Sequence, residues 1–330
     1  MPVWIHTFMK RFIFSRLLQM LLVLLLASFA AYNLMGLMPG DPIDLMVQNN
    51  PHITAEDVAR LKAEQGLDKP VYVRYFHWLG DALQGELGYS RMFSQPAISV
   101  LWEAMKNTLI LVGCGTLLSI LIALPVGVLC AVKQNRFTDY LISGITYLFL
   151  STPAAWLALM LIMLFSVVYP IFPAGGTGEA DGAEGFDRLR YMILPILSLT
   201  LLSIASISRF MRSSMLEVFR QDFVRTAKAK GASSTRVLFK HCIKNGMLPM
   251  ITVLAMDIAA LMSGAVLTET IFSWPGIGKL TVDAINGSDY NVAMLCFMVA
   301  TTAILVMNFV ADILYSKVDP RIDLTKGSPS

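Results

Sequence analysis

"RTAKAKGASSTRVLFKHCIKNGMLP", Arg225 to Pro249, is a basic, glycine-broken stretch in a chain of 330 residues that is 55% hydrophobic and only 15% charged. Long apolar runs flank it on both sides. Working outward, runs at roughly 17–38, 108–132, 140–169, 191–210, 247–270 and 291–314 each reach the ~20 residues a helix needs to cross a bilayer core. The mean hydropathy of +0.62 agrees. The reading is an all-α polytopic membrane protein with six transmembrane helices. Pro125, Pro153 and Pro195 fall within or near these runs and predict bends that end no span. The amino-terminal run from Leu17 to Met38 has the basic flank of a signal peptide, but it is long enough to span and is read as a retained first helix.

Lysine and arginine in the short segments set the orientation. Lys10, Arg11 and Arg16 precede the first run, Lys133 and Arg136 separate the second and third, and Lys317, Arg321 and Lys326 follow the sixth. Residues 212–246 hold eight basic side chains against Glu217 and Asp222. These segments are assigned to the cytoplasm, with both termini. Residues 39–105, with nine acidic and five basic side chains, and the acidic "GTGEADGAEGFD" are assigned to the outside. The resulting division is a cytoplasmic amino terminus and first helix (1–38), an extracytoplasmic helical segment (39–105), a five-helix membrane core (106–315) with a cytoplasmic loop at 212–246, and a cytoplasmic tail (316–330).

In the outer segment, "ITAEDVARLKAEQGL" reads as a helix capped by Thr54 and stopped by Gly66. "KPVYVRYFHWLGDALQG" reads as a second helix with an aromatic face suited to the membrane surface. Asp41, in "GDP", is expected to cap a turn. The four cysteines lack CxxC spacing and the four histidines are scattered, so no metal site is expected. A net charge of +3 is too small to point to nucleic acid.

The basic stretch has its own punctuation. Helix formers run through "SSMLEVFRQDFVRTAKAKG" to Gly231, Ser233 or Ser234 can cap a second helix, and Leu248-Pro249 marks re-entry into the membrane. A simple cytoplasmic anchor needs the lysines but not the small residues Ala227, Ala229 and Ala232, which let a partner surface approach closely. "SWPGIGKL" lacks the GxxxxGK[ST] spacing of a phosphate loop, so the chain is read as having no nucleotide site and no catalytic activity of its own.

Helix, glycine turn, helix and Leu-Pro resemble the EAA loop of bacterial ATP-binding-cassette importer permeases. Arg225 stands where the family usually has Glu, Thr226 where it has the first Ala, and the interval from Gly231 to Leu248 is longer than the general pattern. "RTAKAKG" is similar instead to the dipeptide, oligopeptide and nickel branch, as are "MPGDP", "ALPVGVLCAVK", "ILPILSLTLL", "GAVLTETIFSWPGIGKL" and "DILYSKVDPRI", in order along nearly the whole chain. The resemblance implies a type I importer fold (MetI-like) in the bacterial inner membrane. It also implies a second permease subunit, an extracytoplasmic binding protein and two cytoplasmic ATPases that carry ATP and Mg. It assigns Phe223, Val224, Arg225, Thr226, Ala227, Lys228, Ala229, Lys230, Gly231 and Ala232 to ATPase coupling.

Asp257 lies near the middle of the fifth run, where an ionised carboxylate facing lipid costs at least ~2.5 kcal/mol. It is expected to face a bundle interior or a wet path, sharing its helix face with Ala260, Leu261 and Gly264. Its two readings are a contact to a passing peptide and a bond to a neighbouring helix. Glu269 closes the same run and is placed on the path. The following Phe272 and Trp274 read as interfacial anchors or, with Pro275, Gly276 and Gly278, as a re-entrant outer gate. A self-contained secondary transporter would show repeated halves, which are not evident, and an intramembrane enzyme would need a second deep catalytic group beside Asp257.

Overall fold

A computed structural model describes residues 3–36, 54, 60, 69–179, 181–183 and 185–318, without the side chains of 3–11, 259–264 and 315–318. The expected helix over 53–67 and the Asp41 cap lie outside the described residues. The chain divides into two compact units, Met1–Met105 with Leu280–Thr302, and Lys106–Lys279 with Ala303–Ser330.

The first unit contains α1 (Val3–Met35), α2 (Val71–Leu83) and a short hairpin of β1 (Tyr89–Ser90) and β2 (Gln95–Pro96). Tyr75 of α2 is buried against α1. Its hydroxyl lies 2.8 Å from the Ser28 hydroxyl, and its ring meets Phe29 edge-on at 5.1 Å. The aromatic face of α2 is therefore divided, with Tyr75 inward and Tyr72 and Phe76 exposed. The hairpin was not legible as a motif. It is held by Asp289, whose Oδ2 accepts from the Ser90 hydroxyl at 2.6 Å and the Met92 N–H at 3.1 Å. The other oxygen of Asp289 caps the helix that follows it through the Val292 N–H.

The second unit is organised on a long helix. In chain order the helices that follow the hairpin are α3 (Ala97–Val132), α4 (Phe137–Ser151), α5 (Ala154–Ile162), α6 (Phe186–Phe219), α7 (Asp222–Ala229), α8 (Ser234–Val237), α9 (Ile243–Ile271), α10 (Ile277–Asn286) and α11 (Tyr290–Val318). α3, α10 and α11 each cross a unit boundary. Along α6, Leu194, Ser198, Ser203, Ile207, Met211, Met215 and Val218 are buried. This recurrence, close to one helical turn, gives the helix an inward stripe along its length. Gly127 of α3 permits close approach, because a Cβ there would lie 2.6 Å from the Met211 Cβ.

Among the described residues four helices, Phe12–Met35, Ala97–Val132, Phe186–Phe219 and Tyr290–Leu314, are long and apolar enough to span a membrane. α9 occupies the place of the expected fifth run. The third run is not one helix, contrary to the expectation that no proline ends a span. α4 and the segment Ala154–Val168 meet at 102°. Pro153 has no N–H to continue the ladder and holds Thr152 extended, at φ −86° and ψ 126°. Pro125 and Pro195 lie inside unbroken helices.

Candidate functional site

The basic stretch folds as a compact arm. After α6, residues Arg220 and Gln221 turn the chain into α7, and Val224 is buried in one core with Met211, Met215 and Val218 of α6, Val237, and Cys242. Burial of that single valine fixes which side of the helix faces out. Phe223, Arg225, Thr226, Lys228, Ala229 and Lys230 are exposed, while Ala227 and Ala232 pack at the edge of the core. The ten residues expected to couple therefore divide into an outward face and an inward anchor. That division depends on what α7 packs against.

The end of α7 follows the physics of a left-handed cap. The Ala232 N–H donates to the Ala227 carbonyl at 3.2 Å and the Gly231 N–H to Lys228 at 3.0 Å. This is the paired bonding of a Schellman motif, which places Gly231 at φ +80°. A Cβ at Gly231 would meet nothing within 4 Å, so the position needs glycine for its backbone angle and not for space. Ser233 then caps α8, accepting from the Arg236 N–H at 3.4 Å. A π-helical turn, Leu238–Cys242, leads into α9.

In α9, Asp257 is half-buried and accepts a hydrogen bond from Ser203 of α6. Its Oδ2 is shielded from solvent and, among the described residues, has no hydrogen-bond partner, and the same holds for the side-chain oxygens of Ser198 and Thr252. Buried oxygens without partners are costly unless something else supplies a donor. The Asp257 carboxylate therefore presents an acceptor that the described residues do not fill. Ala260 and Gly264 lie further along α9, beyond the described side chains.

Glu269 occupies a different setting. It is fully buried, and Oε1 accepts from the Thr108 hydroxyl at 2.6 Å while Oε2 accepts from the Lys279 N–H at 3.1 Å. The Gly278 N–H also donates to the carboxylate. The Thr108 oxygen in turn accepts from the Ile277 N–H at 2.8 Å. The carboxylate thus serves as a remote cap for the first turn of α10, whose partial positive end favours an acceptor there. Gly276 and Gly278 come so close to it that a side chain at either would collide with Glu269.

Asn107 completes the clasp, accepting from the Trp274 indole at 3.1 Å and donating to the Pro275 carbonyl at 3.0 Å. Phe272 and Trp274 are buried, Trp274 against Leu111 and Leu199. The expectation that they are interfacial anchors is therefore corrected, because their rings fill protein core. Thr108 and Asn107 carry no sequence signal of their own. Among the described residues no group of three His, Cys, Asp or Glu side chains could hold a metal.

Comparison with known proteins places this geometry. Residues 123–324 match the family described as binding-protein-dependent transport system inner membrane component, and residues 9–110 match its amino-terminal companion. The oligopeptide transport system permease protein AppB of Bacillus subtilis is 39% identical over 317 residues, covering 96% of this chain and 100% of that one. The dipeptide transport system permease protein DppB of Escherichia coli K12 is 35% identical over 336 residues, covering 95% and 99%. A structure of the inward-facing MetNI methionine ABC transporter aligns with TM-score 0.57 and 18% identity over 68% of this chain and 99% of that one.

Proposed function

We propose, from the premise that this chain belongs to the family of inner-membrane components of binding-protein-dependent transport systems, that it forms half of the membrane pathway of an ATP-driven importer of short peptides. The observation that carries the reading is α7, a short helix whose Val224 is locked into the core beside α6 while its basic outer face is exposed. A rigidly backed, outward-facing helix can pass force from a docked motor to the spans behind it.

In this reading Phe223 to Ala232 dock on a cytoplasmic ATPase, with Val224, Ala227 and Ala232 as backing. Two ATPase subunits supply ATP and Mg, this chain hydrolyses nothing itself, and a second permease subunit and an extracytoplasmic binding protein complete the assembly. The protein is multi-pass in the bacterial inner membrane with both termini in the cytoplasm, as the basic segments favour. Asp257, Ala260 and Gly264 line the path, where the unpartnered Asp257 oxygen offers an acceptor to a peptide ammonium or amide. Glu269 contributes at its outer end by holding the 272–279 loop. ATP-driven closure of the ATPases biases the helices between states open to either side, which requires contacts at α7 that differ between the two states.

The test is affinity purification of the tagged chain in mild detergent, beside a Gly231→Trp variant. Co-purification of ATPases with the parent and their loss from the variant is the expected result. Identical partners in both forms would refute the docking reading.

A further inference from the structure

At the start of the basic segment one charge is engaged inside the fold. Arg212 of α6 donates through Nε to Asp139 Oδ1 at 2.8 Å and through a terminal nitrogen to Oδ2 at 2.8 Å, a two-pronged pair. Asp139, in the first turn of α4, is 2% exposed. It also accepts from the Asn135 N–H at 3.0 Å and the Ser143 hydroxyl at 3.4 Å. Asn135 adopts φ +61°, so the turn between α3 and α4 is itself wrapped around this carboxylate. Asp139 has its bonding capacity largely spent inside the fold, while Arg212, whose side chain is 29% exposed, spends two of its N–H groups on that carboxylate.

A buried ion pair is a poor source of stability, since apolar side chains of similar volume serve as well or better; what its fixed fork provides is geometry. Here the geometry joins two elements that matter. Arg212 lies on the same end of α6 as Met215 and Val218, which hold Val224 of α7. Asp139 begins α4, whose other end breaks at Thr152-Pro153 with the 102° bend.

We propose that the Arg212–Asp139 pair is the joint that passes displacement of the α7 arm to the bent third span. Arg212 and Asp139 act as positioning residues, and the inference rests on the docking reading of α7. Movement of α7 is delivered to α6 by the apolar core and from α6 to α4 by this fork. The whole of α4 then moves with the arm, and the strain of that movement collects at the Thr152-Pro153 break.

The test uses the complete complex purified from membranes in mild detergent. The exposed Cys114 is changed to Ser, and spin labels are placed at Ser151→Cys, the far end of α4, and at Phe239→Cys, an exposed position in the returning arm. Pulsed dipolar spectroscopy reads the distance without nucleotide and with ATP and Mg trapped by vanadate. In the parent the distance should stay fixed between the two conditions. In Arg212→Met, with ATPases still co-purifying, it should shift by a few ångströms on trapping, the scale on which packed helices slide. The reciprocal pair Asp139→Arg with Arg212→Asp should restore the fixed distance, which loss of a merely stabilising contact does not predict.

Should Arg212→Met fail to assemble, Arg212→Lys keeps the charge without the fork and is expected to shift in the same way. A distance as fixed in the variants as in the parent overturns the joint, and so does a distance that already changes in the parent. Absence of ATPases from the purified parent is a separate result, which removes the docking reading and the joint with it.

Discussion

Removing the Glu269 carboxylate should unfasten the 272–279 loop before it affects anything else. In Glu269→Ala the N–H groups of Gly278 and Lys279 and the hydroxyl of Thr108 lose their shared acceptor in a fully buried place. A hydrogen bond to a charged acceptor contributes about 1.5–3 kcal/mol, and about 1.4 kcal/mol is a factor of ten in an equilibrium. Exchange of those two amides with deuterated solvent should therefore quicken roughly ten- to a hundredfold where local opening governs the rate. Glu269→Gln is the discriminating partner. Its carbonyl can still accept from Gly278 and Lys279, and its amide can donate to the Thr108 oxygen, so the two amides keep a neutral acceptor and the effect on their exchange should be about tenfold or less. Hydrogen exchange read by mass spectrometry on peptides spanning Phe272 to Leu280, with α4 as an internal control, makes the comparison. Unchanged protection of that segment in Glu269→Ala would refute the carboxylate as its clasp, and so would equal loss across α4.

Further outcomes follow from the same contacts. Gly231→Ala places a side chain at φ +80° and should cost about 1 kcal/mol through backbone strain alone, with Gly231→Asn milder, read by thermal unfolding and by retention of ATPases. Val224→Ala removes two methyl groups from the core behind α7 and should lower stability by about 1–2 kcal/mol while raising protease cleavage near Arg225; unchanged cleavage would count against a locked arm. Asp257→Asn should lower peptide uptake at limiting substrate while leaving assembly intact, and undiminished uptake would remove Asp257 from the path. Tyr75→Phe deletes the hydroxyl that meets Ser28 and should cost about 1 kcal/mol in a denaturant titration, with no direct effect on ATPase binding.

The legible features were those with local causes. Gly231 ends a helix and Ser233 begins one because a left-handed angle and an N-cap oxygen are properties of one or two residues; the structure keeps the stop at Gly231 and takes Ser233 of the two serines the sequence offers as cap. The 71–83 helix and most spans were readable from apolar length and periodicity. Pro153 was legible as a bend but not as a break, because Pro125 and Pro195 carry the same local defect inside continuous helices. What separates them is the packing around each proline.

By itself the sequence determined the membrane class, the basic arm and its punctuation, since lipid solvation, charge placement and helix capping all act along a short length of chain. Tertiary structure alone decided which residues the arm turns inward, that Arg212 faces Asp139, and that Glu269 is held by Thr108 and the start of α10. Arg212 counted in sequence as one more cytoplasmic positive charge, and Glu269 as one more carboxylate at the end of a span. A buried charge takes its meaning from its partners. Here Asp139 lies 73 residues from Arg212 and Thr108 lies 161 from Glu269, separations that no local pattern encodes.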